Sequence, residues 1–161
     1  MSTLEIKKEN ALKAWNNGCS DVKAVLENLL GKETFVPENK MDRVKTFEDA
    51  CAVLGVRDSF SIDASDTKAL TGDMNSITAY AKLIIIARAM NDGWKPDWTN
   101  HSQIKYYPWF TMETGSGLAY YDYANRCSTS FVGSRLCFKS KELAEYAGKQ
   151  FRDLFNQYMN Y

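Results

Sequence analysis

The most apolar stretch of the chain lies in its middle. From Asp73 or Asn75 onward, Ile77, Tyr80, Ala81, Leu83, Ile84, Ile85, Ile86, Ala87 and Met90 go most of the way round a helix. Such a helix has little polar face to give to water, so it is expected to be central and covered on more than one side. Asn91-Asp92-Gly93 is a clean stop. Ahead of it run shorter amphipathic patterns. Leu4, Ala11, Leu12 and Trp15 recur at helical spacing after a cap at Ser2 or Thr3, and Asn17-Gly18 ends the run. Ser20 or Asp21 opens a second helix with Val22, Val25, Leu26 and Leu29, closed by Gly31. These two are read as a short antiparallel hairpin. Glu33 to Val44 is a polar connector containing Pro37. Thr46-Phe47-Glu48-Asp49 then reads as a capping box with Asp in the glutamate's place, opening a helix with Phe47, Ala50, Cys51 and Leu54 that ends at Gly55. Arg57 to Gly72 has little pattern and reads as a long loop.

Past Gly93 the periodicity falls from helical to alternating. Trp94 to His101 is an aromatic linker, followed by strand-length runs at Lys105–Met112, Leu118–Ala124 and Phe131–Lys139. Gly115-Ser116-Gly117 between the first two is a hairpin turn rather than a phosphate loop. Pro108 cannot donate to a ladder, which places the first strand at an edge or at a bulge. Ser140 caps a final helix whose stripe is Leu143, Ala147, Phe151, Leu154 and Tyr158, with Tyr146 and Phe155 beside it. The expected class is α+β, with a helical N-terminal portion packed with a three-stranded antiparallel meander and a C-terminal helix. A single domain over residues 1–161 is expected, helical over residues 1–91 and built of the meander and last helix over residues 92–161. Its core is expected at Val132, Leu136, Phe138, Leu143, Phe151 and Leu154.

Composition changes this picture mainly by exclusion. Lys plus Arg and Asp plus Glu number 20 each among 161 residues, so no global basic field favours duplex DNA. Cys19, Cys51, Cys127 and Cys137 are not at CxxC spacing, and one histidine cannot complete a usual zinc set, so free thiols and no metal are expected. The N-terminus has no apolar signal region, and the run Leu83–Ala87 is too short for a bilayer; a soluble protein of the host cytoplasm is expected. Any Cys-His or Ser-His pair would have to use His101, and Asp92, Asp97, Glu113 and Asp122 are scattered. No catalytic residue and no cofactor are assigned.

Three blocks carry a resemblance: Arg43-Val-Lys-Thr-Phe-Glu-Asp-Ala-Cys51, Tyr107-Pro-Trp-Phe110, and Ser134-Arg-Leu-Cys-Phe-Lys-Ser-Lys-Glu-Leu-Ala-Glu-Tyr-Ala-Gly-Lys-Gln-Phe151. In these the chain resembles uncharacterised short proteins of bacteriophages and phage-like elements of Bacteroides-type gut bacteria. The resemblance implies a phage or mobile-element origin and no activity.

The remaining signal is aromatic. Of 21 Phe, Trp and Tyr residues, 16 follow Asn91. Alternation along the strands offers a face combining Lys105, Tyr107, Trp109, Tyr121, Tyr123 and Arg135. Stacking of one base on such a platform contributes about 1–3 kcal/mol, and Arg adds charge-assisted bonds to an anion. The bland reading of the same aromatics is that they fill a seam between meander and helices. The expected function is therefore a phage-encoded, non-enzymatic accessory protein that binds a host protein or a small nucleotide-like ligand. The alternatives are a single-stranded nucleic-acid-binding module and a virion structural protein.

Overall fold

The structure is a computed structural model that describes residues 6–35, 39–58, 71–113, 117–127 and 135–159. The chain forms two compact units, Met1–Asn39 and Lys40–Tyr161. The residues on either side of Asn91–Asp92 thus fall in the same unit. The reason is that the central helix packs on the last helix of the chain and so belongs with the sheet.

In the first unit, α1 (Lys8–Asn17) and α2 (Ser20–Leu30) are followed by a 3-10 turn, Lys32–Phe35. Helices this short are marginal alone in water, and Trp15 supplies the contacts that join them. Its ring stacks on Phe35 with centroids 5.6 Å apart, and its indole N–H donates to Glu27 Oε1 at 3.2 Å. Lys23 stands over the same ring. Neither helix has a side-chain N-cap bond: Lys7 precedes α1 and Cys19 precedes α2. The caps expected at Ser2 or Thr3 lie outside the described residues.

The second unit holds α3 (Lys40–Arg43), α4 (Phe47–Leu54), α5 (Thr71–Asn91), β1 (Lys105–Glu113), β2 (Gly117–Arg126), α6 (Lys141–Gln150) and α7 (Arg152–Met159). It is α+β. The capping box at α4 forms as its sequence dictates: Thr46 accepts from the Asp49 N–H, and the Asp49 carboxylate accepts from the Thr46 N–H at 2.9 Å. Gly55 closes α4 in the left-handed region. On α5, Ala79, Leu83, Ile86, Ala87, Ala89 and Met90 are buried, and the helix packs against both α4 and α7. The C-terminal helix is two helices rather than one, broken at Phe151. Buried Leu136, Phe138, Leu143, Ala147, Phe151 and Phe155 join the α5 residues in one core, with Leu154 partly buried against it. Val132, also expected there, lies outside the described residues.

Two strands are found among the described residues, not the three expected. The segment read as a third strand, Phe131–Lys139, is described only from residue 135 onward, and that part makes a single bridge, Tyr106 with Phe138, through reciprocal N–H to O bonds of 3.0 and 2.7 Å. The backbone explains why it stops there. In an antiparallel ladder the bonding edge alternates, so the next donor on that edge of β1 falls at residue 108. That residue is Pro108, which has no N–H. On the other side of the bridge the chain turns into α6 at its cap, Ser140. On the opposite edge of the segment Asn91 holds it: its buried amide donates to Cys137 O at 2.7 Å and accepts from the Lys139 N–H at 3.0 Å. Pro108 costs β2 nothing, because its nitrogen points to the Phe138 edge of β1 and not to that ladder. The register between β1 and β2 shifts one residue past it, between Trp109 and Phe110, leaving Tyr121 as the extra residue of a bulge.

One face of this ribbon lies on α6 and α7. Phe110 meets Phe155 at 4.9 Å, and a Cβ on Gly148 of α6 would stand 2.5 Å from the Tyr120 ring and 2.7 Å from Pro108 Cβ. Glycine is what lets helix and sheet approach this closely.

At the end of α5, Asp92 (φ 52°) and Gly93 (φ 79°) turn the chain sharply. The Lys40 ammonium bonds Asp92 at 2.5 Å and holds its carboxyl below the usual aspartate value, with Lys139 and Arg43 adding smaller attractions. A lowered folded-state pKa gives stability that is present above the unfolded value and lost as pH falls through the folded one. Asp92→Asn is therefore expected to lower the Tm near neutral pH, while the two proteins converge as pH falls below the aspartate range. Thermal melts of both from about pH 7 to about pH 2 check this; a constant difference throughout would refute it.

Candidate functional site

The left-handed turn after α5 leads into residues 94–104, which carry no helix or strand yet are tied together by side chains. Asp97 accepts from the Thr99 N–H at 2.9 Å and from its hydroxyl at 2.7 Å. Asn100 Oδ1 accepts from the N–H groups of Ser102 and Gln103. Gln103 Oε1 accepts from the Asp97 N–H at 2.6 Å. The bonds from Thr99 are the main reason that the Asp97 carboxyl stays below its ordinary range. Short polar side chains closing turns on their own backbone make a linker of defined shape.

Between this linker, the end of α5 and the segment before α6 runs a groove of about 520 Å³. Trp94 and Trp98 stand on the linker side, over an apolar base that includes Leu54 and Ile84. Arg88 of α5, Lys95 and Arg135 supply three cations, all exposed to solvent. None of the described residues lining it is a carboxylate. Asn91 lies beneath and, through Cys137 and Lys139, fastens the end of α5 to the segment that carries Arg135. Two aromatic rings, an apolar base and clustered cations make a place where a planar group can stack while an anion is neutralised.

The six residues expected to share one sheet face do not converge. The register sets Trp109 opposite Asp122 and Pro108 opposite Tyr123, so Tyr123 lies on the other face from Lys105, Tyr107 and Trp109. It packs beside Tyr106 at 5.9 Å and beneath the Lys141 ammonium of α6. Tyr121 is the bulge residue and is 70 % exposed; Trp109 is 44 % exposed. Tyr107 and Lys105 are fully buried. Arg135 alone of the six lines the groove.

Tyr107 and Tyr120 bury hydroxyls that meet no partner among the described residues. Burial raises the Tyr107 phenol, and at Tyr120 burial, followed by the nearby Glu145 and Asp122 charges, pushes it up to about 12. Both are thus neutral packing groups. All four cysteines are free, and no group of three metal-ligating side chains occurs among the described residues.

Reading by strands missed Arg88, Trp94 and Trp98. The signal available for the tryptophans was their four-residue spacing directly after a helix stop, in a stretch too short to bury both. Arg88 had none, since an exposed arginine in a last helical turn ordinarily interacts with the helix end. Among the described residues no helix is long and apolar enough to cross a membrane. Compared with family models, with curated proteins and with solved structures, the chain matches none.

Proposed function

We propose that the protein is a non-enzymatic binding protein for a small anion that carries a planar ring, of which a nucleotide is the natural example. The phage origin implied by the sequence resemblance fits an accessory role of this kind. One observation carries the reading: Arg88, Lys95 and Arg135 gather with Trp94 and Trp98 around a single groove whose described lining contains no carboxylate. In a chain of zero net charge, such a local excess of cations on an aromatic wall favours an anionic aromatic guest. Arginine is suited to phosphate, which it meets with two parallel N–H bonds. The groove's volume is within the ordinary range for small-molecule sites.

The test is calorimetric titration with adenosine 5′-monophosphate and 1-naphthyl phosphate, against adenosine and inorganic phosphate. The two aromatic phosphates are expected to bind more tightly than either half alone. Arg88→Ala and Arg135→Ala are each expected to weaken them about tenfold, equivalent to about 1.4 kcal/mol, the range of a hydrogen bond to a charged group. Equal, undetectable binding of all four compounds would sink the reading.

A further inference from the structure

The groove's aromatic wall has a support that lies outside its lining. Lys105, the first residue of β1, is fully buried. Its ammonium donates to Cys127 O at 2.6 Å, just past β2, and to Asn100 O at 3.2 Å, within the linker. It also stands 5.4 Å from the centroid of the Trp98 ring. Two carbonyls and one ring face account for the three donors an ammonium has. A lysine so engaged has none left for a ligand, which removes Lys105 as the direct contact that strand alternation suggests.

We propose that Lys105 is a positioning residue, which fixes the orientation of Trp98 and thereby the aromatic wall of the groove. The assignment rests on the groove reading above for its consequence, though not for its geometry. Burying a lysine is unfavourable unless its charge is met; a neutral side chain of the same length could fill the space but would hold neither the two carbonyls nor the ring. The bond to Asn100 fixes the far side of the linker that bears Trp98. The attraction to the ring fixes its tilt. There is a chemical consequence as well. The face of an indole is electron-rich, and a cation on one side draws that density toward itself. The portion of Trp98 left for a ligand is then less repulsive to an anion-bearing ring than a lone indole would be.

The experiment uses the full chain labelled with 5-fluorotryptophan, whose four tryptophans give separate fluorine resonances, Trp98 being assigned with Trp98→Phe. In Lys105→Met with an unchanged far-UV circular dichroism spectrum, the Trp98 resonance is expected to move while that of Trp15 stays. The Kd for 1-naphthyl phosphate is expected to rise about fivefold, as the loss of one desolvated cation–ring contact implies. Lys105→Arg, which keeps the cation, is expected to recover both. An unmoved Trp98 resonance in Lys105→Met overturns the proposal, as does a moved one with unchanged affinity. If the unsubstituted protein binds neither 1-naphthyl phosphate nor any of the other three compounds, the groove reading fails, and the Trp98 resonance still decides the geometry of Lys105. Should Lys105→Met not fold, the ammonium proton signal of Lys105 is compared between the unsubstituted protein and Trp98→Leu. Loss of its ring-current shift supports the contact; an identical signal refutes it.

Discussion

Replacing Asn91 by leucine is expected to destabilise the second unit by about 2–4 kcal/mol, although the two side chains are close in size. The Asn91 amide is buried and is bonded at both ends, to Cys137 O at 2.7 Å and from the Lys139 N–H at 3.0 Å. Each bond contributes only about 0.5–1.5 kcal/mol net, but a buried carbonyl or N–H left without a partner costs about 1–3 kcal/mol. Leucine removes both bonds, and at the buried end Cys137 O loses the amide that donates to it. Phe138 alone then holds the segment to β1, since Pro108 cannot extend the ladder. Asn91→Asp is not expected to rescue: it keeps an acceptor for Lys139 but sets a second oxygen against Cys137 O. Urea unfolding at constant slope measures the loss. A shift equivalent to less than about 0.5 kcal/mol, the range of an ordinary surface substitution, would show that the segment is held by packing and not by this amide.

Gly148→Ala tests helix–sheet packing by the sign of its effect. Alanine in a helix interior is intrinsically favoured over glycine by about 1 kcal/mol. Here the added methyl would meet Tyr120 Cδ2 at 2.5 Å and Pro108 Cβ at 2.7 Å. Tyr120 is tethered against Phe110, and the proline ring is joined to the β1 backbone, so neither can move far. Overpacking costs about 1–3 kcal/mol and outweighs the propensity gain. A net loss of up to about 2 kcal/mol is expected, with some of it relieved in a Tyr120→Ala background, where only the proline contact remains. A gain in stability would mean that α6 stands further from the sheet than described.

The candidate site was only partly legible. Arg135 was visible as a basic residue near a run of aromatics, and the tryptophans as an aromatic linker after a helix stop. Their convergence was not visible, because Arg88, Trp98 and Arg135 meet only when α5, the linker and the segment before α6 are folded together. The sheet face failed for a different reason. Alternation sorts residues within one strand, but it does not say which set of one strand lies with which set of the next. With Trp109 opposite Asp122, the parity is the reverse of the one that unites Trp109 with Tyr123. The bulge then leaves Tyr121 outside the pairing.

Helix ends are local matters, and the chain writes them plainly. Thr46 with Asp49, Gly55, Ser140 and the stop at Asn91–Gly93 act on backbone groups within a few residues, so the helix ends they mark are found where they stand. The apolar circumference of α5 likewise required burial on more than one side, whatever its neighbours were. Other features arise only on folding: the division near residue 40, the arrest at Pro108 of the pairing that begins with Phe138, the strand register, and the burial of Lys105 beneath Trp98. Each of these depends on a partner tens of residues away or on the direction of one missing N–H, and neither is written in the pattern of a single segment.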